Sequence, residues 1–123
     1  MNNYSDYKPR IEEIHHIHKK DSPSGTAISL ANIILHNQPQ YQNWVEKTEE
    51  ERENPSTLYI TSHRENEVPG THTVEYSSLV DNISLTHTAK SRFGFANGAL
   101  IAAKWLFKQQ EQGIYTMRDV LQL

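Results

Sequence analysis

An α+β domain, a sheet covered by helices, is the fold class this sequence predicts, and three observations carry it. Segments around Ile14, Ile60, Val74 and Ile83 alternate apolar and polar residues over strand lengths, which predicts four strands in a mostly antiparallel or mixed sheet. Ala27, Leu30, Ala31, Ile34 and Leu35 recur at helical spacing behind Ser22-Pro23-Ser24-Gly25-Thr26, which predicts one amphipathic helix to about residue 37. With 123 residues, 36% of them hydrophobic and 22% charged, the chain can fill one core and is too short for two ordinary domains, so 1–123 is expected to be a single domain.

Taken in order, Arg10-Ile11-Glu12-Glu13-Ile14 reads as the first strand, delivering His15, His16 and His18. Continued as a strand, it sends His16 and His18 to one face and His15 and Ile17 to the other. After the helix, residues 37–56 read as a solvated, irregular connection. It is entered at Asn37-Gln38-Pro39, contains the charged run from Glu46 to Asn54, and is left at Asn54-Pro55. Leu58 to His63, Thr71 to Tyr76 and Asn82 to His87 form the remaining strands, separated at Pro69-Gly70 and Val80-Asp81-Asn82. From Phe93 the pattern turns helical, with Phe95, Ala99, Ala102, Ala103 and Leu106 on one face. Leu100, Ile101, Trp105 and Phe107 make its other faces apolar too, so this helix needs more cover than one sheet supplies. Gly113 follows it, and Met117 to Leu121 form a short terminal element.

Composition removes several classes of function. There is no cysteine, hence no disulfide, thiolate–zinc site or cysteine nucleophile. A net charge of −3 argues against general nucleic-acid binding and against anionic membranes. The apolar run from Phe93 to Phe107 is too short and too interrupted to span a membrane, and Met1 to Asp6 carry no secretion signal, so a cytoplasmic chain is expected. The glycines stand at 25, 70, 94, 98 and 113 and form no Gly-x-Gly-x-x-Gly, so no dinucleotide-binding fold is expected within this chain.

The chemistry concentrates between Glu13 and Ala27. Three histidines and two lysines stand next to a helix start, where free backbone N–H groups and the positive dipole end attract anions. Gly25 permits close approach to the backbone and Thr26 adds a hydroxyl; with Lys19 and His16 they form a candidate site for a carboxylate or phosphate. The bland alternative is that Ser22 or Ser24 simply caps the helix. Imidazoles of His15, His16 and His18 with His63, His72 or His87 are the material for a metal site, but adjacent strand histidines diverge and Lys19 and Lys20 repel a cation, so no metal is expected. Taken singly, His63, His72 and His87 read as satisfied or surface histidines.

The segment Glu13-Ile14-His15-His16-Ile17-His18-Lys19-Lys20-Asp21-Ser22-Pro23-Ser24-Gly25-Thr26-Ala27 closely resembles the E-x-H-H-x-x-K-x-D-A-P-S-G-T-A signature of the 4-hydroxy-tetrahydrodipicolinate reductases. The likeness continues in Arg64 with Val68-Pro69-Gly70-Thr71-His72-Thr73-Val74, in Thr86-His87-Thr88-Ala89-Lys90-Ser91-Arg92-Phe93-Gly94-Phe95-Ala96-Asn97-Gly98-Ala99, and in Gly113-Ile114-Tyr115-Thr116-Met117-Arg118-Asp119-Val120-Leu121. Ser22 departs from the usual alanine.

The resemblance implies the substrate-binding and tetramerisation part of an enzyme of lysine and diaminopimelate biosynthesis, without its nucleotide-binding half. It implies hydride transfer from NADH or NADPH, held mainly by that other half, to a cyclic unsaturated dicarboxylate. By the same likeness His15 is a proton donor or acceptor and Lys19 a proton donor, while His16, Gly25 and Thr26 bind a carboxylate. By the same likeness Arg92 and Phe95 are cofactor-binding candidates, lying where the family's chain returns towards its nucleotide domain, and residues 93–123 match that returning segment. A homotetramer and an inactive isolated fragment are expected. A stand-alone dicarboxylate-binding module and a purely oligomerising domain are the alternatives.

Overall fold

The computed structural model describes residues 1, 3–47 and 54–123, so positions 48–53 of the charged run lie outside the described residues. Alternating side chains build a sheet whose centre is β1 (Lys8–His15), with Ile11, Glu13 and His15 buried on one face. The helix α1 (Gly25–Asn37) packs on that face, and Ala27, Ala31 and Ile34 meet Ile11, Leu58 and Ile60 in the core. Each fully buried Ile or Leu contributes about 1.5–3 kcal/mol, so this cluster anchors α1 to the sheet.

The remaining strands are β2 (Asn43–Glu46), β3 (Thr57–Arg64), β4 (Thr71–Ser77) and β5 (Asn82–Thr88), in the order β2-β3-β1-β4-β5. β1 runs parallel to β3 and antiparallel to β4, and β2 lies parallel to β3 beyond it. The parallel pairs need crossover connections, and the stretch holding α1 supplies the one from β1. The face away from α1 is polar. It carries an Arg10–Glu75 ion pair at 2.7 Å and Thr73 and Thr86 hydroxyls 3.0 Å apart.

The α+β class and mixed sheet stand as predicted, with one more strand. The connection over 37–56 contains β2, where Trp44 and Val45 pair with Leu58 and Tyr59. Trp44 packs against the core and its indole N–H donates to Asn32 Oδ1 at 3.2 Å. Four residues are too few for alternation to register in a sequence dominated by polar neighbours.

A second correction falls at the end of β1. The strand stops at His15 and does not carry His16 and His18 onward. Glu65 N–H donates to the His15 carbonyl (2.8 Å), Ile17 N–H to Asn66 O (3.1 Å) and Lys19 N–H to His16 O (3.1 Å), turning the chain back at once.

The contacts divide the chain into two units, Met1–Ala89 and Lys90–Leu123. The second consists of α2 (Phe93–Leu106) and α3 (Met117–Leu121). Within it the Trp105 and Tyr115 rings meet edge to face at 5.2 Å, and Thr116 and Asp119 close a capping box at the start of α3. No residue of α2 is buried among the described residues, and Phe93, Phe95, Leu100 and Phe107 are exposed. None of these helices is long and apolar enough to cross a membrane.

Candidate active site

Strand register brings the polar residues of the α1 side into one place. His15 pairs with Arg64 of β3, while Glu13 pairs with His72 of β4, which in turn faces His87 of β5. Residues paired in register share a face, so Glu13, Arg64 and His72 gather where α1 begins.

The Glu13 carboxylate sits at the centre, fully buried. Its two oxygens accept the Ser24 N–H at 3.0 and 3.1 Å, and Oε1 lies 3.3 Å from the Arg64 guanidinium. Oε2 lies 3.5 Å from His15 Nδ1 and 3.7 Å from His72 Nε2. Burial pushes the carboxyl pKa up, but the hydrogen bonds from Ser24 outweigh it, and the group stays below the ordinary glutamate value and ionised at neutral pH. Burial holds His15 below the ordinary histidine value; Glu13 pulls the other way, and Lys19 and Arg64 add to the lowering. His72 is lowered by burial first and then by His15. Both imidazoles are therefore neutral at pH 7.

Ser24 is the N-cap of α1: its Oγ accepts from Ala27 N–H at 3.2 Å and lies 3.1 Å from His72 Nε2. The N–H groups of Gly25 and Thr26 then stand at the open end of the helix, where no turn precedes them to accept. Both residues are exposed, and a Cβ at Gly25 would meet no atom within 4 Å, so the backbone is open to a ligand there. Arg64 secures the loop beneath, donating to Asp21 O at 2.8 Å and Ser22 Oγ at 3.0 Å, and Ser22 also donates to Glu46.

Lys19 Nζ donates to both carboxylate oxygens of Asp21 at 2.8 Å. The lysine thus has an anionic partner of its own in addition to the cations the sequence places beside it. His16 is half-buried on the same turn with its Nδ1 enclosed, and its ring lies 6.2 Å from that of His18.

The structure therefore puts His15, His16, Lys19, Gly25 and Thr26 along one turn between β1 and α1. Arg92 and Phe95 belong to the second unit, at the N-cap and first turn of α2. Glu13, Arg64 and His72 were not among the predicted site residues. Each lies within a segment that carries the family likeness, but only strand register shows that they converge. His72 in particular is no isolated histidine, since it faces Glu13 and Ser24. His63, by contrast, is partly exposed and meets Glu12 at 3.4 Å.

Glu13, His15 and His72 each bring a ligand atom within 4.8 Å of the other two. Two imidazoles and a carboxylate suit zinc in kind, but the Arg64 charge on the same carboxylate opposes a divalent ion.

Comparison with known proteins identifies the family. The family model described as dihydrodipicolinate reductase, C-terminus, matches residues 1–121. A 4-hydroxy-tetrahydrodipicolinate reductase of Christiangramia forsetii is 51% identical over 121 residues, 98% of this chain and 48% of the relative. One from Archaeoglobus fulgidus is 42% identical over 122 residues, covering 95% of this chain and 47% of its own length. The chain thus spans about half the length of the curated relatives it matches. Among solved structures, a dipicolinate-bound dihydrodipicolinate reductase from Paenisporosarcina sp. TG-14 has the same fold, with a TM-score of 0.63 and 22% identity over 89% of this chain and 43% of that one. With its sheet, its His-His-turn-Lys loop and a family match over nearly its whole length, the chain belongs to the C-terminal family of the dihydrodipicolinate reductases.

Proposed function

We propose that this chain is the substrate-binding and oligomerising part of an NADH- or NADPH-dependent 4-hydroxy-tetrahydrodipicolinate reductase, acting in lysine and diaminopimelate biosynthesis. The observation that carries the reading is the convergence of Lys19, His16, a neutral buried His15 and the open N-terminus of α1 on one short turn. A cyclic dicarboxylate needs cationic and N–H donors for its carboxylates and a proton source at the reacting carbon, and this turn offers both. The solved structural neighbour, itself bound to dipicolinate, supports a dicarboxylate as the ligand class.

A reduced nicotinamide, when bound by the other half, would supply the hydride to the unsaturated ring. The Gly25 and Thr26 N–H groups, the Thr26 hydroxyl and His16 hold one carboxylate. Lys19 donates a proton as the ring gains charge, and His15, neutral at rest, accepts a proton at its free ring nitrogen and passes it on from there. Arg92 and Phe95 are assigned to the side that meets the nucleotide-binding half. Exposed apolar side chains on every face of α2 support a cover supplied from outside these residues. The polar sheet face supports sheet-to-sheet pairing in a homotetramer. A cytoplasmic enzyme fits this role.

The test is calorimetric titration of the 123-residue chain with pyridine-2,6-dicarboxylate, with light scattering for its assembly. Binding that Thr26→Ala and Lys19→Ala each weaken is expected, in a tetramer; no binding by a folded chain overturns the reading. Joined to a nucleotide-binding half, Lys19→Ala should lose about 10²–10⁴-fold in rate at saturating substrate, as a lost general acid does, while Thr26→Ala recovers as substrate rises.

A further inference from the structure

We propose that Glu13 is a positioning residue for this site: its buried carboxylate holds the His15 proton on Nδ1 and leaves Nε2 as the nitrogen that exchanges a proton with substrate. The inference rests on the function proposed above and adds to it a residue that takes no part in binding the dicarboxylate.

The geometry gives each nitrogen a different neighbour. His15 Nδ1 is sealed from solvent with no hydrogen-bond partner at ideal distance, and the atom facing it at 3.5 Å is Glu13 Oε2. An ionised carboxylate only accepts hydrogen bonds, so an imidazole lone pair aimed at it would be repelled and an N–H attracted. The neutral ring therefore carries its proton on Nδ1 and its lone pair on Nε2. On the Nε2 side stands Gly70, with φ 155°, where a Cβ would come within 3.1 Å of that nitrogen. Any side chain at position 70 would therefore crowd that nitrogen.

Glu13 is itself held by two groups. Ser24 N–H, the first backbone donor of the α1 cap, binds both oxygens, and Arg64 binds Oε1. Because Ser24 immediately precedes Gly25 and Thr26, one carboxylate links the position of His15 to that of the anion-binding helix start. The charged and titratable groups around His15 are Glu13 on β1, His16 and Lys19 on the turn, Arg64 on β3 and His72 on β4, with His87 of β5 behind His72. Among these Glu13 is the one anion, so it is the group whose removal moves His15 towards a lower pKa.

The experiment is long-range ¹H–¹⁵N correlation spectroscopy of the His15 ring in the 123-residue chain, across pH, with dipicolinate titrated in parallel. The wild-type chain should show neutral His15 as the Nδ1–H form, and Glu13→Gln should lower its titration midpoint by about one unit. A wild-type ring protonated on Nε2 overturns the inference, as does an unmoved midpoint in Glu13→Gln. The wild-type spectrum decides alone if Glu13→Gln does not fold. Loss of dipicolinate binding in a chain whose His15 is Nδ1–H would sink the proposed function and leave the role of Glu13 standing.

Discussion

Replacing Ser24 with alanine should destabilise the first unit by about 2–3 kcal/mol, because that hydroxyl serves two elements at once. Ser24 is 2% exposed, and its Oγ caps Ala27 N–H at 3.2 Å; losing such a cap costs about 0.5–2 kcal/mol. The same oxygen lies 3.1 Å from His72 Nε2 in a nearly buried ring, and an orphaned buried polar atom costs about 1–3 kcal/mol. His72 can lean towards Glu13, 3.7 Å away, so the second loss falls in the lower half of its range. The Ser24 N–H bonds to Glu13 belong to the backbone and persist in the variant. Urea denaturation followed by circular dichroism at neutral pH and fixed protein concentration measures the difference; in melting temperature it amounts to a drop of about 10–20 °C for a unit of this size. Ser29→Ala is the control, since its exposed Oγ only donates to Gly25 O at 2.9 Å and its loss should stay within about 0.5 kcal/mol. If Ser24→Ala proves no more harmful than Ser29→Ala, the shared role of that hydroxyl is refuted.

Stability should fall as the solution is acidified through two windows. His15 and His72 are depressed in the folded state, so the unfolded chain takes up protons first below about pH 6.5 and stability is lost from there downwards. Glu13, also depressed, extends the loss below about pH 4.3; a urea midpoint that is flat between pH 7 and 5 contradicts the histidine part. Gly70→Ala should cost about 1–3 kcal/mol from backbone strain and should perturb the His15 ring signals, because the new Cβ lands 3.1 Å from Nε2. Unchanged His15 resonances in a folded Gly70→Ala chain would count against the close approach. Asp21→Asn should leave stability almost unchanged, since the Asp21 side chain is 62% exposed, and should raise dipicolinate affinity by up to about fivefold by releasing Lys19. Weaker binding in calorimetry would mean that Asp21 orients Lys19 and does not compete for it.

The fold was legible where periodicity lasts. Four strands and the helices at 25–37 and 93–106 emerge from alternation or helical spacing, and their observed bounds differ from the expected ones by a few residues. β2 was not legible, because its pairing is set by Leu58 and Tyr59 on another strand and not by its own four residues. The site divides in the same way. His15, His16, Lys19, Gly25 and Thr26 share one stretch of chain and one chemistry, so they could be read together. Glu13 lies in that stretch too, but its role depends on Arg64 and His72, 51 and 59 positions away, which only the fold brings against it. The turn after His15 is likewise imposed from outside, by hydrogen bonds from Glu65 and to Asn66.

The register that joins β1, β3 and β4 also has a consequence for how the protein acquires its site. Glu13 and Arg64 are 51 positions apart and Ser24 and His72 are 48 apart, so closing these loops costs chain entropy before any local contact is rewarded. A peptide spanning the His-His-turn-Lys stretch alone has neither the guanidinium nor the imidazole that fix its carboxylate. In refolding, dicarboxylate affinity should accordingly return with the slowest phase, after helical signal has recovered, making ligand capture a reporter of the last long-range strand pairing.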